Sequence, residues 1–296
     1  MKPTGNAKPL AVLLAAALAL AIGGALNAME WPLPDAAVAR NFGHSGGGRP
    51  SLGVELAGGG HALAAADGEV IFRSSGGAAG ASRFPSPLGE WVAVDHGNGL
   101  VSIYARLGEI PPGASGRVGQ GDPIAPAGSS GWSGMEGCLF MVYDRRERRW
   151  VNPAMIAAPM ADGVAPQIHG VSLRGEDGSL AGVAPGLSVP QGRFGIVVHA
   201  TDALSYGRGA GLAPHRIIAS VNGAEVGRLA LETISARDGA MLSSREEPVP
   251  AGRVYAHFPA LEAAEAFLSR GQAMLEVIAQ DIAGNSSSFV ANISVE

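Results

Sequence analysis

The chain has 296 residues, a formal net charge of -5 and only 16% charged residues, with no long Lys/Arg run. That balance argues against a partner held through nucleic-acid phosphates, and the length exceeds what one hydrophobic core usually fills, so two domains are expected. A single cysteine, Cys138, excludes an internal disulfide and leaves stability to packing, while 44 Gly, 20 Pro and 5% aromatic residues point to short strands and many turns.

In chain order, Lys2 and Lys8 precede an apolar run from Pro9 to Leu26, which ends in Asn27 and Ala28 before the polar Met29-Glu30. A basic start, an apolar middle and a small final residue form a secretory signal peptide over residues 1–28, so the protein is expected in the periplasm or outside the cell. Left uncleaved, the same run approaches the roughly 20 residues that span a bilayer, and it would then be the only membrane contact. No Cys follows it, which disfavours a lipoprotein. Trp31-Pro32-Leu33-Pro34 reads as an extended leader over residues 29–40, because each Pro keeps its predecessor out of the helical region.

From Asn41 the pattern is one of short apolar runs cut by Gly clusters. Glu69-Val70-Ile71-Phe72 follows the turn Ala66-Asp67-Gly68, and Trp91 to Asp95 leads through His96-Gly97-Asn98-Gly99 into Leu100 to Tyr104, a hairpin. Ser74 to Pro87, rich in Gly, Ala, Ser and Pro, reads as a rim loop. Arg145-Arg146-Glu147-Arg148-Arg149 reads as a solvated hairpin tip. The Ala-, Met- and Pro-rich stretch 156–166 is placed as a linker. Beyond it, strand-like runs at Val171 to Leu173, Phe194 to Ala200, Ile217 to Val221, Met274 to Ala279 and Phe289 to Val295, with turns at Asn222-Gly223 and Ala283-Gly284-Asn285, indicate a β-sandwich over 167–296. Leu261 to Leu268, with apolar residues at helical spacing and Gly271 as a stop, is expected to be an amphipathic helix.

Seven segments of the first part occur in one order: Asn41-Phe42-Gly43; Ser51-Leu52-Gly53-Val54-Glu55; Ala64-Ala65-Ala66-Asp67-Gly68; Asp95-His96-Gly97-Asn98-Gly99; Tyr104-Ala105-Arg106-Leu107; Gly119-Gln120-Gly121; and Gly137-Cys138-Leu139-Phe140-Met141-Val142. In order and spacing they resemble the lysostaphin-like (LytM-type) zinc peptidoglycan endopeptidases, whose motifs include HxGxD, YAHL and HLHFE. The resemblance covers residues 41–155 and implies an antiparallel β scaffold, the duplicated hybrid motif, with a groove across one sheet. The closing turn of Asp281, Gly284 and Asn285 resembles that of exported immunoglobulin-like modules. The expected fold is therefore all-β, a LytM-type domain followed by an immunoglobulin-like β-sandwich.

In active members of that family, zinc is held by the His and Asp of HxGxD and the second His of HxH, and the remaining two histidines serve proton transfer. By this alignment the five positions here are Ser51, Glu55, Phe140, Cys138 and Arg106. A hydroxyl is a poor zinc ligand and a benzyl ring is none, so one donor of the needed three survives. Arg stays protonated and is no general base. The expectation is a protein with no catalytic residues, no metal and no cofactor, its groove lined by Ser51, Glu55, Arg106, Cys138 and Phe140, with Glu55 and Arg106 paired and Phe140 filling the metal's place. Three functions follow: binding of peptidoglycan or a cell-wall hydrolase in the old groove, envelope scaffolding of other proteins through the sandwich, and an active peptidase in which His44, His61 or His96 supplies new ligands.

Overall fold

The computed structural model of the chain describes residues 28–44, 49–74, 86–113, 116–203, 211–237, 240–243 and 249–296. The apolar run before Ala28 and most of the Ser74 to Pro87 loop lie outside them. The first part holds β1 (Ala37–Arg40), β2 (Val54–Ala57), β3 (His61–Leu63), β4 (Gly68–Arg73), β5 (Glu90–Asp95), β6 (Leu100–Leu107), β7 (Gly116–Val118), β8 (Pro123–Pro126), β9 (Gly137–Asp144) and β10 (Arg149–Val151). The second holds β11 (Gln167–Arg174), β12 (Leu180–Gly182), β13 (Ser188–Val189), β14 (Gly192–Thr201), β15 (Arg216–Val221), β16 (Ala224–Ala230), β17 (Thr233–Arg237), β18 (Ala240–Ser243), β19 (Val249–Pro250), the short α1 (Ala251–Val254), β20 (Leu261–Leu268), β21 (Gly271–Gln280) and β22 (Ser286–Val295).

The chain is nearly all β, with antiparallel sheets, as expected. In the first part β7, β4, β5, β6 and β9 lie side by side. The far edge of β9 is divided between two partners: β2 pairs with Gly137 to Phe140, and β10 with Val142 to Asp144. The runs LVSIYARL and GCLFMVYD are apolar at almost every position because β6 and β9 are covered on both faces. Alternation sends Tyr104, Phe140 and Val142 into the main core, and Val101, Ile103, Ala105, Leu139 and Met141 into a smaller cluster covered by Leu52, Leu88, Trp91 and Trp150.

One expectation is overturned, and two segments do more than the sequence indicated. The leader 29–40 is built into the fold: β1 pairs with β2, and Met29, Trp31, Leu33 and Val38 are buried, Trp31 donating its indole N–H to Ala158 O at 2.8 Å. Leu261 to Leu268 is strand β20, paired with β14, not a helix. In an eight-residue run filled with Ala, helical and strand periodicities look alike. Strand pairing and the capture of Glu262, 1% exposed, by Arg174 and Arg253 then override the helix propensity of Leu, Glu and Ala.

The two parts are also joined by a shared sheet. In the second part, β12-β11-β14-β20 and β13-β22-β21-β15-β16 form two sheets, and Val171, Leu173, Ile196 and Val198 of one share a core with Ile217, Ala219, Leu275 and Val277 of the other. Yet β17, with β18 and β19 beyond it, leaves these sheets and pairs with β10, setting Ile234 opposite Trp150 and extending the sheet of the first part. The main core runs through both parts without a break. The Asn41-Phe42-Gly43 motif lies at this junction. The Asn41 side chain donates to Ala213 O at 2.6 Å and accepts from its N–H at 3.2 Å, and Tyr255 Oη donates to Gly43 O at 2.7 Å. Gly43 has φ +75, and a Cβ there would lie 2.8 Å from Leu231, so both backbone and space require glycine.

Candidate functional site

Glu55 lies on β2 with 5% of its surface exposed. The β5–β6 register skips from Trp91↔Ala105 to Glu90↔Leu107, which leaves Arg106 as the extra residue of a bulge. Its φ is 65, a left-handed conformation that costs a non-glycine residue about 1–2 kcal/mol. The bulge brings the Arg106 guanidinium into direct contact with Glu55 Oε1, and Arg40 Nε approaches Oε2 at 3.4 Å. Two cations therefore enclose one buried carboxylate, the pairing expected from the sequence with a second arginine added.

The other expected members are elsewhere. Glu55 stands opposite Leu139 in register, while Phe140 stands opposite Val54 and Tyr104, and Cys138 opposite Leu56. Alternation therefore sends Cys138 and Phe140 to the main-core side of the sheet, away from Glu55. Phe140 is fully buried, with ring centroids 5.4 Å from Tyr104 and 6.2 Å from Trp31. It fills the core rather than a former metal position, correcting the expectation of one groove lined by all five residues. The β9 neighbours on Glu55's own face are Gly137, Leu139 and Met141, which offer no nitrogen or oxygen side-chain donor. Ser51 precedes β2 and turns its hydroxyl onto Gly53 O at 2.8 Å.

Burial pushes the Cys138 thiol up to about 12, against smaller opposing effects of the Ala105 backbone and Arg106. Native protein at pH 8 is expected to resist an aromatic disulfide reagent and to react with one equivalent once unfolded; rapid native labelling would contradict this burial. His96, in the turn between β5 and β6, lies 2.7 Å from Asp67 O and 2.9 Å from Ser102 Oγ, and Ser102 donates to Tyr104 Oη at 3.0 Å. That chain of contacts ties His96 to the turn before β4 and to the buried Ser102 and Tyr104. Among the described residues, the only group of three or more His, Cys, Asp or Glu side chains close enough to share an ion is Asp162, Asp202 and Asp281, so His44, His61, His96 and Cys138 do not converge. Sequence reading missed this acidic group, although the Asp281-x-x-Gly284-Asn285 turn marked one of its members.

A hollow of about 730 Å³ opens at the rim of the first sheet, lined by Arg73, Glu90, Ser129 and Ser130 among others. On the opposite face of the same strands Phe72 stacks on Trp91 at 4.1 Å, and Trp132 is 71% exposed.

Residues 49–153 match the model of Peptidase family M23, and this segment has the M23 peptidase-family fold. Residues 165–296 match a second family model that carries no descriptive name. No curated protein matches the chain. Similar solved structures include a zinc-containing peptidase from Vibrio cholerae, with a TM-score of 0.36, 23% identity, and 45% of this chain and 41% of that one covered. A mutant catalytic domain of the prophage-encoded M23 protein EnpA from Enterococcus faecalis gives a TM-score of 0.35 and 23% identity over 44% of this chain and 96% of that one. Helicobacter pylori Csd3 gives 0.34 and 23% over 45% and 35%. The chain thus spans less than half the length of the Vibrio and Helicobacter proteins.

Proposed function

We propose that this is an exported protein of M23 fold that binds cell-wall polymer, or a hydrolase acting on it, without cutting peptide bonds. The carrying observation is the Glu55 carboxylate held by Arg106 and Arg40, with Leu139 and Met141 beside it. A guanidinium in contact with the one inherited donor neutralises the charge that would attract a dication, and three protein ligands with an open water position are what a catalytic zinc requires. Binding is assigned to exposed aromatic side chains of the first part, where Trp132 and the Phe72–Trp91 stack offer apolar ring faces, with the polar hollow of Arg73, Glu90, Ser129 and Ser130 on the other face of the same strands. Such amphipathic surfaces suit sugar rings and short peptides.

The test is co-sedimentation with purified sacculi, together with metal analysis and a muropeptide digestion assay. Binding without zinc or cleavage is the expected result, and Trp132→Ala is expected to weaken it by about fivefold or more, the effect of truncating an anchoring aromatic. Stoichiometric zinc with cleavage abolished by a chelator would overturn the reading.

A second reading, envelope scaffolding through the sandwich, draws on the exposed Met274 and Val290 of β21 and β22 and on the covered Leu139–Met141 face. Cross-links mapped on the full chain separate the two, since only scaffolding confines them to residues beyond about 166.

A further inference from the structure

Three acidic side chains meet where the two parts join. Asp162 belongs to the segment connecting them, Asp202 follows β14, and Asp281 follows β21; one ligand oxygen from each lies within 4.8 Å of the others. Asp202 is 3% exposed and Asp281 2%. Asp281 is oriented by Asn285, whose backbone N–H donates to Oδ1 at 2.8 Å and whose side-chain amide donates to Oδ2 at 2.7 Å. The same amide donates to Asp162 O at 3.2 Å, tying the connecting segment to the β21–β22 turn. Asp202 is fixed through its backbone, which exchanges two 2.8 Å hydrogen bonds with Leu212.

A group of acids is ordinary by itself. What sets this one apart is Asp202 Oδ1, which is buried and has no hydrogen-bond donor. Among the described residues no Arg or His forms an ion pair with Asp202 or Asp281. A buried carboxylate oxygen without a partner carries its full desolvation cost, and two further carboxylates nearby add repulsion. Among the described residues, no side chain donates to that oxygen.

We propose that Asp162, Asp202 and Asp281 form a calcium site that fastens the second part of the chain to the first. The donor set is entirely oxygen, which selects a hard cation over zinc or copper. A mutual spacing of up to 4.8 Å matches the span across a shell with Ca–O distances of about 2.4 Å, whereas Mg²⁺ demands a tighter octahedron at about 2.0 Å. Asp202 also borders a cavity of about 40 Å³, shared with Asn41, Asn152 and His215. That volume admits the water a calcium ion uses to complete its shell, since one water needs roughly 10–15 Å³ of such space. The cavity wall includes Trp31, Phe42 and Val54 of the first part, so an ion held here joins both parts.

This inference is independent of the wall-binding reading. The purified full-length protein, freed of metal with a chelator, is melted in the calorimeter with Ca²⁺, Mg²⁺ or Zn²⁺ added singly, and Tb³⁺ luminescence reports occupancy. Calcium at 1 mM is expected to raise Tm by about 5 °C, the shift for a ligand present at roughly 100 times its Kd in a chain of this size. Magnesium is expected to give less than half of that. Asp202→Asn, which removes one charge at constant shape, should abolish both the shift and the Tb³⁺ signal while folding as well as the metal-free parent; Asp162→Asn should weaken both. No Tm change and no Tb³⁺ signal at 10 mM Ca²⁺ would overturn the proposal. So would a calcium shift that persists undiminished in Asp202→Asn, which would place the ion elsewhere.

Discussion

Arg106→Ala is expected to lower folding stability by about 3 kcal/mol, because it removes the nearer of two cations from a carboxylate that is 95% buried. Arg40 remains, but at 3.4 Å and with a side chain 40% exposed it compensates only in part. The bulge separates charge from backbone. Arg106→Gly loses the same ion pair yet relieves the φ of 65, so it should be about 1 kcal/mol more stable than the Ala variant. Adding Glu55→Gln to Arg106→Ala should recover much of the loss, since a buried neutral amide costs far less than a buried unpaired charge. Chemical denaturation of the three variants measures all of this. Equal stabilities for the Ala and Gly forms would mean that the strained backbone contributes nothing.

Phe42→Ala is expected to cost about 3–5 kcal/mol, the usual penalty for emptying a fully buried aromatic site, and to destabilise both parts of the chain together. Phe42 belongs to the one core shared by Leu231 and Ile234 of the second part and Val38 and Val54 of the first. β10 is paired along its length with Thr233 to Ser235 of β17. Wild-type protein should therefore show one cooperative unfolding transition by tryptophan fluorescence and by calorimetry. Two separable transitions, with Phe42→Ala moving only one, would show that the shared sheet does not couple the halves.

The sequence made some of this plain and concealed the rest for physical reasons. Strands at Phe194 to Ala200 and Met274 to Ala279, and the Asn222-Gly223 turn with φ of 53 and 79, announce themselves through β-branched runs and residues that tolerate positive φ. The Glu55–Arg106 contact was legible because an acid and a base expected in one region, both away from bulk water, have few ways to be satisfied other than each other. The face assignment of Cys138 and Phe140 was not. From Cys138 to Val142 every residue is apolar, so a strand covered on both sides leaves no contrast to tell one face from the other. The pairing of β10 with β17 spans more than 80 residues, and neither strand carries a local mark of its partner. The three aspartates are scattered between residues 162 and 281, and only Asp281 sits in a turn that the sequence marked.

The borrowed hairpin has a consequence for how the molecule is made. A chain emerging with its N-terminus first completes β10 long before residues 233–250 exist, and until they arrive one margin of the nascent sheet keeps its amides and carbonyls unclaimed. Such a margin can recruit a strand from a neighbouring molecule. The return of that distant ribbon closes the margin, so any delay in releasing it during synthesis prolongs the window in which misassembly competes with maturation.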